Sequence, residues 1–222
     1  MTATVPVAAT STPVPQTPGK TVAREHLGDA VLRAGRKLVF TNGAEFTTQD
    51  LVQEAGVSLQ TFYRYFPTGK DGLLLALIEE LIAEHCATLR QVAAGIADPV
   101  ARCDFYIRAT LVTPESPEVS ARARFITSEH WRLHQRFPRE VWAATAPMTD
   151  LIRDALVDGR DSGQMSPRNP ERDAWLITKT ILSAFHHHVF VPDDDDMRTL
   201  ADDVSHFCLT AVGARESELS DD

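Results

Sequence analysis

The chain has no long hydrophobic run: across its 222 residues the longest strictly apolar stretch is the six from Leu73 to Ile78. A bilayer core about 30 Å thick needs about 20 such residues in a helix, so a membrane span is not expected. The N-terminus also lacks a basic patch followed by an apolar core, so no secretory signal is read there and a cytoplasmic protein is expected. Cysteine is scarce. Cys86, Cys103 and Cys208 are odd in number and stand at unrelated spacings, which excludes a disulfide framework and a CxxC metal site and predicts reduced, buried thiols. No GxSxG elbow, HExxH helix, phosphate-cradling loop or dinucleotide fingerprint occurs. Catalysis and cofactors are therefore not expected. With 43% hydrophobic and 24% charged residues the composition is that of a globular chain long enough to bury a core.

Charge is unevenly distributed. The net charge of −9 argues against a polyanion partner until it is divided along the chain. Residues 1 to 19 carry no charged side chain, residues 20 to 70 carry seven basic against five acidic groups, and the rest carry fifteen against 26. A mildly basic N-terminal unit thus precedes an acidic body, a division that suits a polyanion-facing module on a carrier that repels polyanions.

Residues 1 to 20 are Thr, Pro, Val and Ala without periodicity and read as a disordered tail, whose end, with Lys20 and Arg24, is able to reach a phosphate. Leu27, Val31, Ala34 and Leu38 then recur at helical spacing until Asn42-Gly43. Thr47 or Thr48 is a natural N-cap for a short second helix, with Asp50 in its first turn, Leu51, Val52 and Ala55 on its inner face, and Gly56 closing it. Ser58 caps a third helix whose Phe62 and Phe66 point inward before Pro67 ends it. Two short helices meeting at Ala55-Gly56-Val57 make a helix-turn-helix. Thr68 to Asp71 reads as a capping box opening a helix through about Ala94. Further helices are expected from near Pro99, Pro117, Pro138, Pro170 and Asp195, with loops at 158–163 and 193–196.

The segment from Phe46 to Leu74, FTTQDLVQEAGVSLQTFYRYFPTGKDGLL, resembles the DNA-binding domain of the TetR family of bacterial transcriptional regulators. The resemblance lies in the threonine pair, Ala55-Gly56-Val57-Ser58 at the turn, Thr61-Phe62-Tyr63 in the recognition helix, Tyr65-Phe66 after it, and Lys70. It covers residues 24 to 75. It departs from the family in placing Pro67, Thr68 and Gly69, three residues and not two, before the lysine, in Val52 where alanine is usual, and in Leu59 at a commonly polar or small position. A short helix with a polar outer face fits a major groove about 12 Å wide. With the phenylalanines inward, Ser58, Leu59, Gln60, Thr61, Tyr63, Arg64 and Tyr65 are left for DNA. Gln60 suits an adenine edge, Thr61 a thymine methyl or a phosphate, and the tyrosines phosphate oxygens. Thr47, Thr48 and Gln49 at the start of the second helix and Lys70 at the start of the fourth complete the expected contacts, Lys70 where exposed amides already favour an anion.

The resemblance implies an all-α fold: a disordered tail over 1–20, a three-helix DNA-binding domain over 21–69, a helical effector-binding and dimerisation domain over 70–214, and a C-terminal tail over 215–222. It implies a homodimer on a palindromic operator in double-stranded DNA, most often a repressor released by a small effector, with no membrane partner. Large apolar residues of the body, Phe105, Leu111, Phe125, Trp131, Trp142, Met148, Trp175 and Phe185, are the expected pocket, suited to a hydrophobic effector, although such stripes also form core. Ile181, Leu182, Phe185, Leu200, Val204 and Phe207, on the last two helices, are the expected dimer contact, or equally core. His130 and His134 lie four apart on one helical face, and His186-His187-His188 form a run. Successive helical residues diverge by about 100°, so at most one or two of the run face one site, and capping, interface or pocket roles are expected in place of a metal. A helical enzyme using Glu129, His130 and His134, or a dimeric scaffold, is the alternative.

Overall fold

The computed structural model describes residues 18–112, 117–191 and 196–215, with side chains from Leu27 in the first segment and from Val119 in the second. Among these residues the chain forms nine α-helices and no strand. They are α1 (Pro18–Asn42), α2 (Thr48–Ala55), α3 (Leu59–Tyr65), α4 (Lys70–Ala93), α5 (Pro99–Leu111), α6 (Pro117–His134), α7 (Pro138–Asp161), α8 (Pro170–Phe190) and α9 (Met197–Ala211), with a single 3-10 turn at Gly43–Glu45. None is long and apolar enough to cross a membrane.

Helix α1 starts at Pro18, inside the segment expected to be tail; residues 1–17 and 216–222 lie outside the described residues, as do the side chains of Lys20 and Arg24. The two short helices form as their caps dictate. Thr47 Oγ1 accepts from the Asp50 main-chain N–H at 3.1 Å, and the Asp50 carboxylate accepts from the Thr47 main-chain N–H at 2.8 Å, a reciprocal box that offsets two orphan donors. Gly56 takes φ 64° to stop α2, a left-handed conformation that a side chain would oppose. Ser58 Oγ accepts from the Thr61 N–H at 3.1 Å to start α3.

Two local expectations need correction. Gly69, not Thr68, is the N-cap of α4; no side chain caps that helix, because Asp71 turns away to pair with α6. The sequence 158–161, expected as loop, is the last turn of α7, and the chain leaves the helix only at Ser162. Gly159 in that turn is buried beneath Met165, which occupies the space a β-carbon would need. Of the run 193–196 only Asp196 is described, and it caps α9 by accepting from the Arg198 N–H.

Helix α4 is the spine. Leu73, Leu74, Leu77 and Ile78 are fully buried and Leu81 nearly so, between α1 on one side and α6 and α7 on the other. Burying a leucine or isoleucine is worth about 1.5–3 kcal/mol, so this apolar run explains why one helix joins both halves of the molecule. Helices α5 and α7 pack against it further along, α8 packs on α5 and α7, α9 packs on α5 and α8, and all three cysteines are buried.

Candidate nucleic-acid interface and ligand cavity

Helix α3 divides into two faces. Phe62 is fully buried, 5.7 Å from the half-buried Phe66 ring. Opposite them, Ser58, Leu59, Gln60, Tyr63 and Arg64 are exposed, with Leu59 at 45% and Tyr63 at 47%. Thr61 is half-buried, its hydroxyl receiving a hydrogen bond from Ser58 at 2.9 Å. Tyr63 stands edge-on against Phe62 at 5.1 Å, which holds its phenol outward. Tyr65 is half-buried, packing beside Gly28 of α1, with the Arg64 guanidinium 5.3 Å from its ring centre. At the start of α2, Thr47 and Gln49 are exposed and Thr48 half-buried, but the Thr47 hydroxyl is already engaged, donating to Asp50 at 2.7 Å.

Lys70 differs from its expected role. Its ammonium turns inward, donating to the main-chain oxygens of Ala44 and, at 2.6 Å, Phe46, with the Phe46 ring 4.6 Å away. Burial lowers its pKa, against the opposing pull of Glu129, while Arg132 lowers it further. The extra residue before it closes a turn in which the Gly69 N–H donates to the Phe66 oxygen at 2.8 Å. Lys70 therefore fastens α4 to the end of the 3-10 turn, its ammonium engaged by main-chain oxygens.

Residues 31–77 match the family described as bacterial regulatory proteins of the tetR family. The N-terminal domain is a TetR-family domain. The whole chain shares the fold of these regulators. It is similar to RolR in complex with resorcinol (18% identity, 89% of this chain and 93% of that one, TM-score 0.65). It is similar to Thermus thermophilus FadR, a TetR-family transcriptional repressor in complex with lauroyl-CoA (19% identity, 87% and 98%, TM-score 0.67). It also resembles the regulator FadR from Bacillus subtilis in complex with stearoyl-CoA (16% identity, 83% and 98%, TM-score 0.61). No curated protein matches it by sequence.

Beyond the TetR-family domain a cavity of about 180 Å³ opens among α4, α5, α6, α7 and α8. Ile82, Ile126, Met148, Leu182 and Phe185 supply apolar walls, while His85, Thr110, Arg122 and His186 supply polar atoms. Of the expected pocket residues only Met148 and Phe185 line it. Leu111 and Phe125 are core, and Phe105 and Trp175 are half-buried elsewhere. Trp131 and Trp142 are 57% and 43% exposed, so these large rings are surface and not pocket. Sequence reasoning missed His85 and Arg122. The signal was present: Val119, Arg122, Ala123 and Ile126 fall at i, i+3, i+4 and i+7, a cation set in an apolar stripe.

His130, His134 and His186 do come together, with ring centres 5.8 Å apart for His130–His134 and 5.1 Å for His130–His186. Among the described residues no group of three or more His, Cys, Asp or Glu is arranged to hold a metal ion. Burial keeps His130 and His186 neutral, lowering each pKa to about 4, and their ring nitrogens lack hydrogen-bond partners. The Glu129 carboxylate pairs with Arg132 at 2.6 Å. Of the expected dimer contacts, Ile181 is fully buried in the core of the chain itself, Leu182 lines the cavity, and Val204 is buried. Phe185 and Leu200 are half-buried, and only Phe207, 64% exposed, stands out from the surface.

Proposed function

We propose that this protein is a DNA-binding transcriptional regulator, a homodimeric repressor that sits on a palindromic operator and is released by a small effector held in the cavity. The observation that carries the reading is the polarity of α3: Phe62 anchors the helix while Gln60, Tyr63 and Arg64 face outward. Gln60 suits an adenine edge, and Tyr63 and Arg64 suit phosphates, with Ser58, Leu59, Thr61 and Tyr65 flanking them. Thr48 and Gln49 add contacts from the first turn of α2. A single helix-turn-helix covers few base pairs, so two are needed, one DNA turn apart. The exposed apolar residues of the last two helices, Leu176, Phe190 and Phe207, support a second copy seated on α8 and α9.

Helix α4 supplies the transmission. Its first residue holds the helix-turn-helix through Phe46, and Leu81, Ile82 and His85 on the same helix line the cavity. The distance along the helix is about 17 to 23 Å. An effector that favours one placement of α4 shifts the population toward dimers whose recognition helices no longer match successive grooves. Fluorescence anisotropy of the full chain on the DNA upstream of its own gene tests this reading. Wild type binds with an affinity that falls steeply with salt, and Tyr63→Ala loses binding with its melting temperature kept. Salt-insensitive association, or none, overturns it.

A further inference from the structure

We infer that the cavity takes a compact apolar monocarboxylate, its head group held by Arg122 and its body by Ile82, Met148, Leu182 and Phe185. The inference rests on the cavity being the effector site and goes further by naming the ligand's chemistry.

Size comes first. A cavity of about 150 Å³ walled by aliphatic side chains and phenylalanine is known to hold one benzene, so the volume here, about 180 Å³, fits one ring with a small head group or a chain of similar bulk.

Charge comes second. The Arg122 guanidinium is half-buried and donates to the main-chain oxygen of Leu81, and among the described residues no carboxylate pairs with it. Among the described residues the acid whose charge reaches it, Glu84, already places both oxygens on Arg36, at 2.7 and 3.2 Å. Burial lowers the Arg122 pKa, and its charge adds to the burial that lowers His85. A partly desolvated cation that meets no carboxylate among the described residues, set in an apolar chamber, is costly alone and favourable once an anion meets it.

Hydrogen bonding comes third. His186 lines the same chamber with both ring nitrogens buried and without partners. As a neutral ring it has one N–H to donate, which suits a carboxylate oxygen. Thr110 is not available in this way, because its hydroxyl donates to the Tyr106 carbonyl at 2.8 Å.

The test uses the full chain with benzoate, its neutral near-isostere benzamide, and benzene, by calorimetry and thermal shift. Benzoate is expected to bind at least tenfold more tightly than benzamide. Arg122→Gln is expected to erase that difference, and Arg122→Lys to keep part of it. Equal affinities for benzoate and benzamide in the wild type, which need no folded variant, overturn the proposal, as does unchanged benzoate affinity in Arg122→Gln. If benzoate fails while benzene binds, the charge assignment falls and the effector-site reading stands; if none of the three binds, both fall.

Discussion

The ammonium of Lys70 donates to the main-chain oxygen of Phe46 at 2.6 Å and lies 4.6 Å from the centre of that residue's ring. One side chain thus ties the first turn of α4 to the segment that launches α2. It makes the orientation of the helix-turn-helix a function of where α4 sits.

Removing that tie should loosen the domain more than it weakens phosphate contact. Lys70→Met leaves two carbonyl oxygens without their donor, a loss of about 1–3 kcal/mol by chemical denaturation. The slope of log affinity against log salt should stay unchanged for Lys70→Met and fall by about 1 for Arg64→Ala.

The two faces of α3 should separate stability from recognition. Phe62→Ala opens a cavity at a fully buried site and should cost about 3–5 kcal/mol in a urea melt. Tyr63→Ala, at a 47% exposed ring, should cost less than about 1 kcal/mol and abolish the DNA complex measured by anisotropy.

Acid should destabilise the protein through His130 and His186. Their pKa values fall from 6.5 to about 4 on folding, so between those values the unfolded chain binds more protons than the native one. Stability is complete above about pH 6.5 and is lost as pH drops toward 4, by up to roughly 3 kcal/mol per ring. Urea midpoints across pH 4 to 7 check this, and His130→Phe with His186→Phe should flatten the profile.

Asp71 accepts from Arg132 at 2.8 Å and also pairs with Arg136, joining the start of α4 to the end of α6. Asp71→Asn should lower the unfolding free energy by about 1–3 kcal/mol, since the Arg132 and Arg136 guanidiniums lose their charged acceptor. A denaturation midpoint equal to wild type would show that the pairs are solvent-screened.

The thiols should be inert in the folded protein. All three are buried, and burial pushes Cys103 up to about 12 and Cys86 and Cys208 up to about 11. A thiol reagent at pH 8 should label none of them until denaturant is added.

The helix-turn-helix was legible in the sequence because its determinants act over three or four residues. The Thr47–Asp50 box, the left-handed Gly56, the Ser58 cap and the Phe62–Phe66 pair each follow from local geometry, so the inward and outward faces of α3 were set without reference to the rest of the chain. Tertiary structure alone decided the inward turn of Lys70, the exposure of Trp131 and Trp142, the placement of Ile181 in the core, and the meeting of Arg122 with His186 across one cavity. These depend on which helix faces which, across separations of tens of residues, where hydrophobic burial is non-directional and an apolar side chain is equally at home in core, cavity wall or interface.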